Sequence, residues 1–475
     1  MHTRQNIPNS LHGTTRFAEP DDIKEMGYLH GNGVAIGGFK NTFWGTSMLR
    51  DDGPEHVLAF APARSGKSVG LVLPALLTWP ESTIQLDITG QNYERTSGWR
   101  AAQGQNVFRF EPSAAEGSAR YNPLEEIRIE TPYQNSDCIN VATSLQSVWE
   151  PEAFLWLTCA ILHVLYRVRD EEGRKANLAD VLHFLCSTVA GAHGEIKEDD
   201  QFVKLLLHME NYQHGNADAD KQVRRGASRM RLHGVNERTD ISSRALASLA
   251  IFADPVVAQN TSACDFNIND LMRADQPTNV YLVLPPGEIG RMKMLMRLII
   301  NQVLTRLTTT ILPYKHRMLL MLDDFCQLGK LNNLQRLLAI MEDYGIKAFL
   351  ITPDITQLHG VYGRDECILS NCHIRIAYAP CCSVTAQVLS KMTGKATCES
   401  VCETSRPLMT PDECMLIPGP EHDETGRVTK AGKMLIFTAG KPTIYAQQFL
   451  FFADKELNAR SKMKPSGILK DGKLQ

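Results

Sequence analysis

"EHVLAFAPARSGKSVGLVLPALLTW" (55–79) sets an apolar run of strand length against an apolar run of helix length, with Gly66-Lys67-Ser68 at the junction. This tripeptide ends the phosphate-binding pattern G-x-x-x-x-G-K-[ST], with Ala61 standing in the first glycine's place. Five other Gly-Lys pairs occur, at 329, 394, 432, 440 and 472, and none is followed by Ser or Thr or lies at a strand-to-helix turn. Such a loop needs a strand to deliver it and a helix whose N-terminal N–H groups face the phosphates, so it commits the chain to an α/β fold. Ala63, Arg64, Ser65, Gly66, Lys67, Ser68 and Val69 would then surround ATP. Gly66 permits close backbone approach, Lys67 reaches the β- and γ-phosphates, and the Ser68 hydroxyl binds Mg²⁺. Ala61 is compatible with this if its φ is negative, since it removes no donor.

The rest of the chain agrees with that commitment. "STIQLDI", "NVFRFEP", "NVYLVLPP", "RMLLMLDDF", "IKAFLITPD", "HIRIAYAP", "KMLIFTAG" and "TIYAQQFLFF" read as strands. Their continuous apolar runs predict a mainly parallel twisted sheet covered on both faces. Between them lie helices such as "MKMLMRLIINQVLTRL" and "NLQRLLAIMEDYG", and "GPEHDETGRVTKAG" (419–432) reads as a loop. From Pro151 the character changes: Phe154, Leu157, Ile161 and Leu165 repeat at helical spacing, and two more helix patterns follow. The predicted organisation is a nucleotide-binding domain in two parts, 1–150 and 249–453, interrupted by an all-α insertion over 151–248. A charged tail, 454–475, is expected to be loosely held.

A phosphate loop that holds Mg²⁺ needs an acid on a neighbouring strand. "MLLMLDDF" runs an apolar strand into Asp323 and Asp324, in Walker B form: the first acid suits Mg²⁺ and the second suits orientation of water. Asp324 stands where many hydrolysing ATPases carry Glu, one methylene longer. The next strand leads through "ITPDITQL" to Gln357, a residue type that senses a γ-phosphate or orients water, or simply occupies a first helical turn.

With 475 residues, 43% hydrophobic and 22% charged, the chain has ample material for a large core. A formal net charge of -3 gives no global signature of nucleic-acid binding, so any such contact must come from a local patch. One patch stands out: Lys221, Arg224, Arg225, Arg229 and Arg231 in "KQVRRGASRMRL", which suits DNA phosphates or an acidic signal, or else a solvated helix face. The apolar stretch "FLWLTCAILHVLYRV" is short for a bilayer span. The chain as it stands is expected to be soluble, with membrane attachment only through an anchor absent from it. Twelve cysteines without a secretory leader suggest reduced thiols.

These motifs, in this order, resemble the type IV secretion coupling proteins, the TraG-like and TraD-like ATPases of conjugation and effector export. "LHGTTRFA" is similar to the family's opening motif. "RSGKSVGLVLPALLTWPEST", "LDITGQNYERTSGWR", "RYNPLEEI" and "FADPVVAQNTSACDF" follow. "MLLMLDDFCQLGKLNNL", "YGIKAFLITPDITQLHGVYG", "NCHIRIAYAP" and "SRPLMTPDE" extend the likeness over nearly the whole chain.

The resemblance implies a RecA-like motor, usually a homo-oligomeric ring of six, at the cytoplasmic face of the bacterial inner membrane. It implies ATP and Mg²⁺ as cofactors, and as partners the secretion channel, a relaxase bound to single-stranded DNA, and effector proteins with their adaptors. Lys67, Ser68, Asp323, Asp324 and Gln357 match the family's site residues. A trans-acting arginine is expected in such rings, and Arg336, Arg364 and Arg375 are candidates. Thr89, Gln91 and Tyr93 depart from the family's D-I-K-G-E-N-W. Two other readings stay open: a non-hydrolysing receptor or adaptor on the same fold, and an FtsK-like double-stranded DNA translocase.

Overall fold

The structure is a computed structural model, and it describes residues 15–41, 45–146, 150–187, 198–398, 404–465, 469–470 and 473–474. The first half of "LHGTTRFA", residues 11–14, therefore lies outside the described residues. One thirteen-stranded sheet organises the chain. Its first nine strands are β1 (Val34–Asn41), β2 (Gly45–Asp51), β3 (Val57–Phe60), β4 (Ser82–Asp87), β5 (Asn106–Phe110), β6 (Thr278–Val283), β7 (Met318–Leu322), β8 (Ile346–Thr352) and β9 (Ile374–Ala377). The order β5-β6-β4-β7-β8-β3-β9 is parallel throughout. Every residue of β3, β4, β6, β7 and β8 is buried, because helices cover both faces of this part.

The sheet continues antiparallel beyond β9 through Lys433–Thr438, Ile444–Gln447, β1 and β2. β1, with Gly37 and Gly38 inside it, and β2 carry no alternating pattern that marks them as strands in the sequence. "GPEHDETGRVTKAG" is not all loop: Glu421–His422 pairs with Val428–Lys430 around a turn held by the Asp423 carboxylate.

β5 and β6 are neighbours in the sheet, yet the chain between them makes the helical layer. Pro151 opens the longest helix, Pro151–Glu172, where its missing N–H costs nothing, and Gly173 closes it at φ 65°. Around this helix pack Gln134–Leu145, Leu178–Cys186, Ala217–Leu232 and Val235–Ala247. Glu198–Asn211 packs against Ala217–Leu232. One apolar cluster runs from Leu58, Leu86 and Phe110 of the sheet into Leu157, Ile161 and Val223 of these helices.

"NLQRLLAIMEDYG" does not form one helix; it breaks into Leu334–Leu337 and the turn Met341–Tyr344. The Leu338 carbonyl, which a continuous helix would use internally, bonds instead to His56 Nε2 at 2.9 Å. His56 Nδ1 in turn accepts the Ala348 N–H at 3.1 Å, so the imidazole is fixed neutral at the start of β8. Burial lowers its pKa to about 4. Between pH 6.5 and 4 the unfolded chain binds a proton that the folded chain refuses, so stability falls as pH falls. His56 alone accounts for up to about 3 kcal/mol across that window. Urea unfolding at pH 7 and pH 4.5 checks this, and equal free energies of unfolding would contradict it.

The tail is not loose up to Pro465. Leu457 is buried beside Leu73, Leu77 and Trp99, and the Arg460 guanidinium lies 4.7 Å from the Trp99 ring centre and donates to the Leu77 carbonyl at 2.5 Å. Gly98 leaves room for this: a Cβ there would meet the Met463 and Lys464 carbonyls at 2.4 Å. The charged composition concealed an amphipathic turn.

Candidate nucleotide site

The phosphate loop leaves the end of β3, which lies between β8 and β9, and β7 follows on the far side of β8. The Ala61 N–H donates to the Thr352 carbonyl at 2.9 Å, joining the ends of β3 and β8. Ala61 is fully buried and is not among the residues of positive φ, so the alanine in the glycine's place fits without strain. Positive φ falls instead on Gly66, at 78°, and on the exposed Arg64, at 60°. A left-handed non-glycine residue is held there only by its surroundings. Beyond the loop, Ser68–Val72 winds as a π turn before Leu73–Thr78. The wide turn accommodates Pro74, which has no N–H to give to the preceding turn.

Lys67 Nζ lies 2.9 Å from Asp323 Oδ1 and 2.5 Å from Asp324 Oδ1, bringing the loop and the end of β7 together across β8. Asp324 sits at φ 51°, a second left-handed non-glycine residue at this site. Burial acts against the Lys67 charge, but the fields of Asp323 and then Asp324 outweigh it and raise the ammonium pKa. Burial raises the Asp323 pKa, and Asp324 adds to the rise against the pull of Lys67. Asp323 Oδ1 and Asp324 Oδ1 are buried without a well-aimed hydrogen bond, as is Ser65 Oγ in the loop. Carboxylate oxygens of this kind, with the Ser68 hydroxyl following Lys67 in the loop, are the hard donors that suit Mg²⁺.

Gln357 lies in the first turn of Ile355–Tyr362, exposed, its N–H bonded to the capping Asp354 Oδ1 at 2.8 Å. It shares the strand-end edge but makes no described contact with Lys67 or the acids. Arg375 is part of β9 and gives its Nε to the Leu369 carbonyl at 2.9 Å. Arg336 is exposed and touches Asn333, and Arg364 is exposed with no ion pair among the described residues. At the β4 end, Tyr93 packs edge-on to Tyr281 at 5.2 Å beneath Arg109, and Thr89 and Gln91 are exposed. Asp87 accepts the Tyr93 N–H at 2.9 Å, and burial pushes its carboxyl up to about 6.

In the helical layer the basic run divides. Arg229 is paired with Glu152 and Arg231 with Glu210, while Arg224 bonds the Glu210 carbonyl. Lys221 and Arg225 are exposed.

Gln448 was not foreseen. It is almost wholly buried, donates from Nε2 to the Ser65 carbonyl, and accepts the Gly432 N–H at 3.1 Å. Its side chain lies against Gly66 and Gly70, where an added Cβ would meet it at 3.2 and 3.0 Å. It thereby ties the antiparallel wing to the phosphate loop. Gln448→Ala leaves both backbone groups unpaired, and we expect about tenfold weaker nucleotide binding with the fold retained. Titration with a fluorescent nucleotide measures it, and unchanged affinity in a folded variant would contradict this role.

Strand order, loop and acids together define a P-loop protein of RecA-like fold. The family model for type IV secretory system conjugative DNA transfer matches residues 16–470. A conjugal transfer protein TraG of Escherichia coli is 37% identical over 507 aligned positions, covering 95% of this chain and 78% of TraG. VirD4 of Rhizobium radiobacter is 26% identical, covering 94% of this chain and 64% of VirD4. The plasmid coupling protein TrwB in complex with ADP and Mg²⁺ superposes with a TM-score of 0.64 at 17% identity, over 97% of this chain and 96% of that one. TrwB with the ATP analogue ADPNP gives 0.65 at 17% identity, over 98% and 97%. The chain belongs to the type IV secretion coupling proteins of conjugative DNA transfer. Among the described residues no helix is long and apolar enough to cross a membrane.

Proposed function

We propose that this chain binds ATP with Mg²⁺ and hydrolyses it, within a homo-oligomeric ring, to move cargo into a secretion channel at the bacterial inner membrane. The observation that carries this reading is the convergence of Lys67, Asp323 and Asp324 at the ends of strands on either side of β8. Solved proteins of the same fold were determined with ADP and Mg²⁺ and with ADPNP, which supports nucleotide at this loop.

Lys67 carries the positive charge for the β- and γ-phosphates, and the N–H groups of residues 63–69 cradle them. Ser68 and Asp323 would hold Mg²⁺, which when bound neutralises charge on the phosphate oxygens. Asp324 orients the attacking water, and Gln357 answers to the γ-phosphate. Arg364, exposed just past the helix that carries Gln357, suits the arginine offered to a neighbouring subunit better than Arg375, which is engaged within β9. The helical layer would face cargo: relaxase with its single-stranded DNA, or effectors and their adaptors.

A donor cell lacking this protein tests the reading. Wild-type chain should restore DNA transfer, and Lys67→Ala should leave it at background while relaxase nicking continues. Full transfer by the variant would overturn the proposal. The non-hydrolysing receptor is the second reading, favoured by the shorter Asp324 and its left-handed backbone.

A further inference from the structure

The helical layer carries a groove of about 610 Å³ that the nucleotide chemistry does not use. Three helices wall it: Gln134–Leu145, Pro151–Glu172 and Ala217–Leu232. Each contributes an apolar side chain that remains exposed: Ile139 at 37%, Leu155 at 40% and Leu232 at 85%. Its cationic residues are Arg224, Arg225 and Arg229, and no acidic residue lines it.

The groove is built, not incidental. Gly226 lets two of the helices approach so closely that a Cβ there would lie 2.5 Å from Cys159 Sγ. That thiol bonds the Val223 carbonyl at 3.5 Å, which fixes the floor. The three arginines differ in what they retain. Arg229 is spent on Glu152, Arg224 spends only its Nε on the Glu210 carbonyl, and Arg225 makes no ion pair among the described residues.

We propose that this groove docks an acidic amphipathic segment of a protein partner, whose aliphatic side chains fill the floor and whose carboxylates meet Arg224 and Arg225. The mode is helix-in-groove recognition, read by apolar anchors at i, i+3, i+4 and i+7. The charge of the lining selects the sign of the partner. Nucleic acid is disfavoured, because single strands are held by aromatic stacking and no aromatic side chain lines the groove. The inference deepens the cargo-receptor reading above and rests on it for the identity of the partner as cargo or adaptor.

The test uses the full chain and a labelled synthetic peptide with Leu at those four positions and Glu between them. Fluorescence anisotropy should show saturable binding, weakened about tenfold or more by Arg225→Glu and by Leu155→Ser. A peptide with Lys in place of Glu should fail to bind wild-type chain, a control that leaves the protein unaltered. The proposal is overturned if the Lys peptide binds equally, or if neither substitution matters. It is also overturned if a dT oligonucleotide displaces the Glu peptide, or if Leu155→Ser abolishes self-association while the peptide never binds, which would make the groove a contact between copies. A chain that binds the peptide but never turns over ATP leaves the groove standing and sinks the motor, and turnover without peptide binding does the reverse.

Discussion

Lys67→Ala should reduce ATP turnover about 100-fold or more if, as proposed, its ammonium meets charge on the transferring phosphate. The same change has a second effect that a role in phosphate binding alone does not produce. Lys67 is the counter-charge for two adjacent, largely buried carboxylates. Without it the Asp323 pKa, already raised by burial and by Asp324, rises further. An acid whose folded pKa lies above its unfolded value loses stability as pH increases past the unfolded value. The variant should therefore be destabilised relative to wild type more at pH 8 than at pH 5. Urea unfolding at both values measures it, and a pH-independent difference would mean that the ion pairs do not persist in solution.

Asp323→Asn keeps the shape of the side chain and removes the carboxylate proposed to hold Mg²⁺, while Asp324 still pairs with Lys67. Turnover should fall about 100-fold or more. The sharper readout is nucleotide affinity with and without Mg²⁺. Wild-type chain should bind ATP more tightly when Mg²⁺ is added, and the variant should lose that gain. An undiminished gain would take Asp323 out of the metal site and leave the acids as structural partners of Lys67.

Much of this site was legible because its chemistry depends on local order. Gly66-Lys67-Ser68 stands where a strand becomes a helix, and Asp323 and Asp324 stand where another strand ends. A parallel sheet brings such ends to one edge whatever the length of chain between them. The β8 strand between them was readable from its apolar run, but its position between β3 and β7 was not, because strand order is a tertiary property. Gln448 was invisible for a related reason: it follows a late antiparallel strand, carries no motif, and matters only because that strand folds back beneath the loop.

Charge was the least reliable guide. Arg229 and Arg231 read as part of a basic run suited to an acidic partner or to solvent, but Glu152 and Glu210 from other helices neutralise them. The tail read as a solvated end, but the alkyl length of Arg460 and the apolar Leu457 pack on Trp99. In both cases long side chains chose partners that lie far away in sequence.

Whether nucleotide energy drives transfer is decided by steady-state ATP hydrolysis in the assembled, cargo-loaded oligomer. Turnover should rise when relaxase-bound single-stranded DNA or effector is added and should disappear with Lys67→Ala. An oligomer of verified size that binds cargo and Mg²⁺-ATP yet releases no phosphate would contradict it, and would assign the chain to the non-hydrolysing receptors.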